Sequence, residues 1–188
     1  IMSVVIHEVS HGLAANLLGD PTAKYEGRLT LNPIKHLDPF GSVLLPAVTY
    51  LIGGFIFGWA KPVPYNPYNL RNQRWGPAVV GAAGPAANIL IALVFAASLR
   101  FLSGLVTPAL IEISSAIIFI NILLAIFNLL PIPPLDGSKV LFALLPQNLY
   151  QIQLALEQYG FIILLLFIFV FWLYLLPLVF FFFRFLVG

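Results

Sequence analysis

The feature that most constrains this chain is the length of its uncharged stretches. Residues 39–60, 78–99, 113–135 and 158–183 contain no Asp, Glu, Lys or Arg. Each is long enough for the roughly 20 residues that a helix needs to cross the hydrocarbon of a bilayer. Only 9% of the chain is charged, against about 25% in a soluble domain. The expected class is an all-α polytopic membrane protein. The net charge is +2 with the basic residues scattered, so the phosphate-tracking stripe of a nucleic-acid binder is missing and no nucleic-acid partner is expected. With no cysteine, disulfides, thiolate metal sites and a cysteine nucleophile are excluded.

Inside hydrocarbon an ionisable side chain costs several kcal/mol and is kept mainly for function. That makes the opening segment, "VVIHEVSHGLAANLLG" at residues 4–19, the informative one. At 100° per residue His7 and His11 stand about 40° apart on a helix, one turn above the other, so both imidazoles aim at one point. Glu8 lies about 100° round from His7, beside that point and poorly placed to be a third ligand. H-E-x-x-H on a helix is the zincin pattern, in which the histidines bind zinc and the glutamate acts on water as general base. At this composition a chance match is of the order of one in several hundred. Only six residues precede His7, too few to cross a bilayer, so the first helix is expected to be truncated at its N-terminus.

A catalytic zinc takes three protein ligands and one open position. Outside the first helix the carboxylates are Asp20, Glu26, Asp38, Glu112, Asp136 and Glu157. Asp136 stands out: it follows the uncharged stretch 113–135 and lies in "PIPPLDG", where prolines free backbone groups. His36, in the polar "NPIKHLDP", is the other candidate, with a surface or loop-anchoring role as its plainer reading.

Along the chain, residues 1–19 form the HExxH helix and Gly19-Asp20-Pro21 stops it. Residues 20–77 read as a surface region. In it "TAKYEGRLTLNP" alternates like a short β-hairpin or edge strand, and 39–60, broken by Pro46 and Gly53-Gly54, reads as a span or a re-entrant segment. Residues 78–130 form a helical hairpin whose small-residue face (Gly81, Gly84, Asn88) admits a close neighbour, with Arg100 and Glu112 able to pair across its open end. Residues 131–150 carry Asp136, and 151–188 form a C-terminal helix. The whole, 1–188, reads as one transmembrane domain.

Together these residues resemble the site-2 protease family, the zinc intramembrane metalloproteases. Its marks are HExxH on one transmembrane helix, a central G-x-x-x-N, and N-x-x-P-x-x-x-x-D-G near a later helix. This chain has His7-Glu8-Val9-Ser10-His11, Gly84 with Asn88, and Asn128, Pro131, Asp136 and Gly137 at those spacings. The resemblance implies His7, His11 and Asp136 as Zn2+ ligands and Glu8 as general base. It also implies that Asn128 bonds the substrate backbone or the developing oxyanion, with Asn88 supporting the same site less directly. Asn121, seven residues before Asn128, falls on the same face and belongs to the same polar stripe. The remaining segments are too short for the PDZ or CBS domains that many members carry, so a minimal form is expected.

The implied reaction is hydrolysis of peptide bonds within or near transmembrane segments of membrane-protein substrates, with "YEGRLTL" holding an unwound segment by strand addition. If 39–60 is re-entrant, the basic loops and Asp136 share one side, and the positive-inside rule makes that side cytoplasmic, in a prokaryotic plasma membrane. A membrane transporter or metal-permeating channel lined by the His/Glu cluster is the alternative. It predicts ionisable residues at several depths, whereas here they gather at two points.

Overall fold

The computed structural model describes residues 1–54, 58–101 and 107–188. The tip of the segment read as re-entrant and the far end of the first hairpin helix, near Leu102, therefore lie outside the described residues. Seven α-helices are described: α1 (Met2–Leu17), α2 (Thr22–Tyr25), α3 (Leu45–Gly53), α4 (Gly76–Phe101), α5 (Pro108–Asn128), α6 (Asp136–Leu144) and α7 (Tyr150–Val187). Three segments, Gly76–Phe101, Pro108–Asn128 and Tyr150–Phe171, are long and apolar enough to cross a membrane. The protein is an all-α polytopic membrane protein.

α4 is the central helix and packs against α1, α5 and α6. Its small residues decide which neighbour comes close. A Cβ at Gly81 would meet the Asp136 carbonyl and Lys139 of α6, and one at Gly84 would meet both histidine rings of α1. Lower contact distance between backbones strengthens packing where lipid offers no hydrophobic drive. Further along, Ala92 and Ala96 pack with Ile118 and Ile122 of α5 and Val179 of α7. The outer faces reverse the soluble pattern: Leu90, Leu93 and Val94 on α4 and Phe161, Leu166, Phe169 and Leu173 on α7 are exposed, as lipid contact requires. α5 starts on a Thr107 cap with Pro108 at its first position. It stops at Asn128 because Pro131, Pro133 and Pro134 follow; the Pro133–Pro134 bond is cis.

Two expectations need correction. The run 24–31 forms no hairpin, and the described residues contain no strand. Asp20 accepts from the amide and hydroxyl of Thr22, which starts α2, and Arg28 N–H closes the turn on the Ala23 carbonyl. Local Asx capping overrode a short alternation. Arg100 and Glu112 are both exposed, and no ion pair joins them among the described residues.

The segment after Asp38 is helical only as far as Gly53. Asp38 caps the amides of Phe40 and Gly41, a π-helix over Pro39–Leu44 runs directly into α3, and the helical run ends at Gly54 with φ of +67°. Trp59 N–H then bonds the Gly41 carbonyl at 3.0 Å, and Ser42 Oγ bonds the Trp59 carbonyl at 2.8 Å. Both ends of the excursion are thus stitched together. Below it, Arg28 is buried and its guanidinium donates to the carbonyls of Lys35, Lys61 and Pro62.

Candidate metal centre

One helical turn separates His7 from His11 on α1, and their rings meet edge to face at 4.6 Å between centroids. Asp136, the first residue of α6, reaches them from 129 positions away in the chain. Its Oδ2 stands 3.1 Å from Nε2 of His7 and 3.1 Å from Nε2 of His11. All three residues are buried, and their donor atoms lie within 4.8 Å of one another. No other such group of three occurs among the described residues.

Each of the three side chains is aimed by a second bond. His7 Nδ1 donates to Asn88 Oδ1 at 2.5 Å, and His11 Nδ1 donates to the Val80 carbonyl at 2.6 Å. Both partners belong to α4. With the protons held on Nδ1, both Nε2 lone pairs face the carboxylate, which is the arrangement of metal-ligating histidines. Asp136 is held from its other oxygen: Lys139 Nζ lies 2.9 Å from Oδ1. Its position depends on Gly137, where a Cβ would run into the Leu129 and Leu130 carbonyls; the chain leaving α5 passes directly over the start of α6.

The donor set fits zinc. Two imidazoles and one carboxylate make a three-ligand catalytic set, and tetrahedral ligation at about 2.0–2.1 Å puts neighbouring donor atoms about 3.3 Å apart, close to the 3.1 Å seen here. Gly84 supplies a second fit: a Cβ there would fall 2.5 Å from His11 Nε2 and 2.6 Å from His7 Nε2. Only a bare backbone leaves room beside the two nitrogens.

Glu8 stands outside the ligand group, in keeping with its 100° offset. Its Oε2 accepts from the Val63 amide at 2.8 Å, which ties the carboxylate to the loop before α4. That loop is anchored in turn by Asp20, fully buried, which takes the Asn66 amide and the Asn69 side chain. Burial opposes the charge on Asp20, yet hydrogen bonds from Thr22, Asn69 and Asn66 hold its carboxyl below the ordinary value. Burial raises the phenol of Tyr65, in the same loop, above its ordinary value.

The two asparagines go to different places. Asn88 is fully buried and touches His7 from behind. Asn128, half-buried, donates to the Leu124 carbonyl of its own helix and makes no bond to the cluster among the described residues. Asn121 does not continue a stripe with Asn128; it bonds Asn88, Ser3 and Ile117. His36 is buried and donates from Nε2 to the Thr30 carbonyl, outside the ligand group. Asp20, Arg28 and the Val63 amide are the members that reading the sequence missed. The signals were faint: an Asx turn after α1, and one arginine inside an apolar alternation.

The model of peptidase family M50 matches residues 104–171, the stretch that includes α5 and Asp136. "Putative zinc metalloprotease YwhC" of Bacillus subtilis (strain 168) is 40% identical over 171 residues, covering 87% of this chain and 74% of that protein. "Putative zinc metalloprotease Rip2" of Mycolicibacterium smegmatis is 32% identical over 167 residues, covering 87% of this chain and 62% of its own length. The protein of the same name from Mycobacterium tuberculosis (strain ATCC 25618 / H37Rv) is 29% identical over 141 residues, 75% of this chain and 53% of that one. No solved structure matches the chain. A buried His-His-carboxylate group between apolar helices agrees with what these relatives are named for, and at this identity and coverage the chain belongs to the site-2 proteases of peptidase family M50, zinc metalloproteases of the membrane.

Proposed function

We propose that His7, His11 and Asp136 hold the catalytic zinc and that Glu8 is the general base in hydrolysing peptide bonds within or near transmembrane segments of membrane-protein substrates. The observation that carries this reading is the convergence of three buried donor atoms within 4.8 Å from two distant parts of the chain. Zinc, when bound, supplies Lewis acidity that polarises the scissile carbonyl and acidifies water. The remaining work falls to the protein. The Val63 amide binds one oxygen of Glu8, which leaves the other to take a proton from the attacking water and return it to the leaving nitrogen. Asn88 keeps His7 in its ligating tautomer, and so bears on substrate only through the metal centre. Asn128, at the end of α5, gives one amide proton to the Leu124 carbonyl, and its second amide proton and its Oδ1 are the groups assigned to the substrate backbone. Nothing in the fold or the comparisons favours a transporter or channel.

A substrate helix must unwind before a carbonyl reaches the centre. Leu29 and Leu31 have amides without a hydrogen-bond partner among the described residues, and Leu29 packs toward Gly12 one residue from His11. We assign this unpaired backbone to the unwound segment. Leu31→Pro, which deletes one such amide, lowers cleavage with zinc retained if the assignment holds; unchanged cleavage removes the run from the account.

Residues 1–188 act as one metalloprotease domain, and its active centre faces the cytoplasm of a prokaryotic cell. The Gly41–Trp59 bonds support a segment 39–60 that enters and leaves on one side. The Lys61 amide bonds the His36 carbonyl and Arg74 bonds the Ala143 carbonyl, so both loops and α6 meet at that side. Lys24, Arg28, Lys35, Lys61, Arg71, Arg74 and Lys139 gather there, and only Arg100 and Arg184 do not. The positive-inside rule makes it cytoplasmic.

The deciding experiment compares wild type with Glu8→Gln on a single-span substrate in proteoliposomes. Zinc content stays the same and cleavage falls by about 10²–10⁴-fold, the usual share of a general base. Cleavage that survives the change assigns the base elsewhere.

A further inference from the structure

We propose that Asn121 is a positioning residue of the metal centre: acting through Asn88, it decides which ring nitrogen of His7 faces the metal. The proposal rests on reading His7 as a ligand. Five residues on three helices are joined in one direction. His7 Nδ1 donates to Asn88 Oδ1. Asn88 Nδ2 donates to the Ser3 carbonyl at 3.2 Å and to Asn121 Oδ1 at 2.7 Å. Asn121 Nδ2 donates to Ser3 Oγ at 3.0 Å and to the Ile117 carbonyl at 2.8 Å. Both asparagines are fully buried.

Every orientation in this chain follows from its neighbour. An Nε2 that ligates metal leaves the ring proton on Nδ1, so Asn88 must offer its oxygen there. Asn88 then has only its NH2 for the other side, and Asn121 must meet it with an oxygen. The NH2 of Asn121 is thereby committed to Ser3 Oγ and to the Ile117 carbonyl, which is a pure acceptor and cannot be satisfied the other way round. The Ile117 carbonyl at Asn121 and the Ser3 carbonyl at Asn88, both pure acceptors, thus set the sense of the chain together. Without Asn121, Asn88 loses the shorter of its two acceptors and is held only by the 3.2 Å bond to the Ser3 carbonyl. A flipped Asn88 presents NH2 to Nδ1, which favours the proton on Nε2, the tautomer that cannot ligate through the nitrogen facing Asp136. In a medium of low dielectric the aligned bonds also polarise one another and make Nε2 a better donor to the metal.

The test separates this role from packing. Zinc affinity is measured by chelator competition on the purified full chain in detergent, for wild type, Asn121→Leu, Asn121→Asp, Asn88→Leu and the double leucine variant. Imidazole nitrogen shifts of the zinc-free protein give the His7 tautomer. Asn121→Leu fills the same space and weakens zinc binding about tenfold, the lower range for a residue behind a ligand. Asn121→Asp stays within about threefold of wild type, because a buried carboxyl is neutral, keeps its carbonyl for Asn88 and donates its proton to Ser3 Oγ. On the Asn88→Leu background, Asn121→Leu changes the affinity by less than twofold, since the path to His7 is already cut. The shifts show His7 protonated on Nδ1 in wild type and Asn121→Asp, and a mixture in Asn121→Leu. If Asn121→Leu does not fold, Asn121→Ala carries the same expectation. Wild-type affinity in the leucine or alanine variant, an equal loss with and without Asn88, or failure of Asn121→Asp to restore binding overturns the proposal. Unchanged zinc binding in His7→Gln would overturn the ligand reading itself, independently of Asn121.

Discussion

Gly84→Ala sets two physical effects against each other and so tests the metal centre cleanly. The residue lies inside α4, where exchanging glycine for alanine stabilises a helix by about 1 kcal/mol. Against this, the new Cβ would sit 2.5 Å from His11 Nε2 and 2.6 Å from His7 Nε2, where ordinary contact begins at 3.4 Å. The difference, 3.4 minus 2.5, is about 0.9 Å. It must be met by ring atoms and helix backbone, because the crowded atoms are not the ends of flexible side chains. Metal ligation tolerates about 0.2 Å, so α1 and α4 cannot both keep their places and leave the two nitrogens convergent on Asp136. The methyl also occupies the space beside the ligand atoms. The expected variant therefore folds, with a melting midpoint held up by its better helix, but binds zinc at least 10–100-fold more weakly, the loss seen when a group supporting a ligand is removed. Its cleavage falls in proportion at limiting zinc. The assay is paired: thermal unfolding of the zinc-free protein in detergent, and chelator competition for zinc on the same preparation. Wild-type zinc affinity in Gly84→Ala would refute the reasoning, since it would mean that the metal does not lie between α1 and α4.

Three further outcomes are expected. Stripping the metal with a chelator stops cleavage and adding zinc restores it, measured on one preparation before and after dialysis; cleavage that persists without zinc contradicts the assignment. Arg28→Met removes charge-assisted bonds to three carbonyls, at about 1.5–3 kcal/mol each and less than their sum together. It destabilises the protein by about 3 kcal/mol in denaturant unfolding and lowers cleavage at saturating zinc by loosening the loop that carries Val63. Asp20 has a folded-state carboxyl held below its ordinary value of 3.8. Its contribution to stability is therefore complete above the unfolded value and is lost as pH falls through the lower folded one. Asp20→Asn is less stable than wild type near neutral pH, and the gap closes in the acid range below about pH 4; a gap that stays constant with pH would show that the charge of Asp20 contributes nothing.

Much of the centre was legible because its parts are periodic or costly. His7 and His11 share a helix face by spacing alone, and an uncharged segment makes them conspicuous. Asp136 was recoverable because prolines end one helix just before it. The segment 24–31 was misread for a physical reason: two or three alternating residues cannot outweigh a side chain such as Asp20 that closes a turn on Thr22. Asn121 was seen and placed on the wrong stripe. Seven residues put it on the face of Asn128, but α5 turns that polar position toward α4 and Ser3 at one depth, while Asn128, at the helix end, bonds its own backbone. Helical spacing says which residues share a face, and the neighbour each one meets at its own depth is decided by packing.

That difference in depth organises the chemistry. His7 and His11, the proposed ligands, are fixed by α4 through Val80 and Asn88, and beyond Asn88 by Asn121 on α5. These are helices long and apolar enough to cross a membrane. The proposed base is fixed by a different body: Glu8 is held by the Val63 amide, whose loop is tied down by Arg28 and Asp20 among polar, proline-rich residues. His7 and Glu8 are thus adjacent residues of α1 yet answer to separate frameworks. Damage to the loop should cost proton transfer before it costs zinc, and damage to the α4–α5 contact should cost zinc before it costs the base.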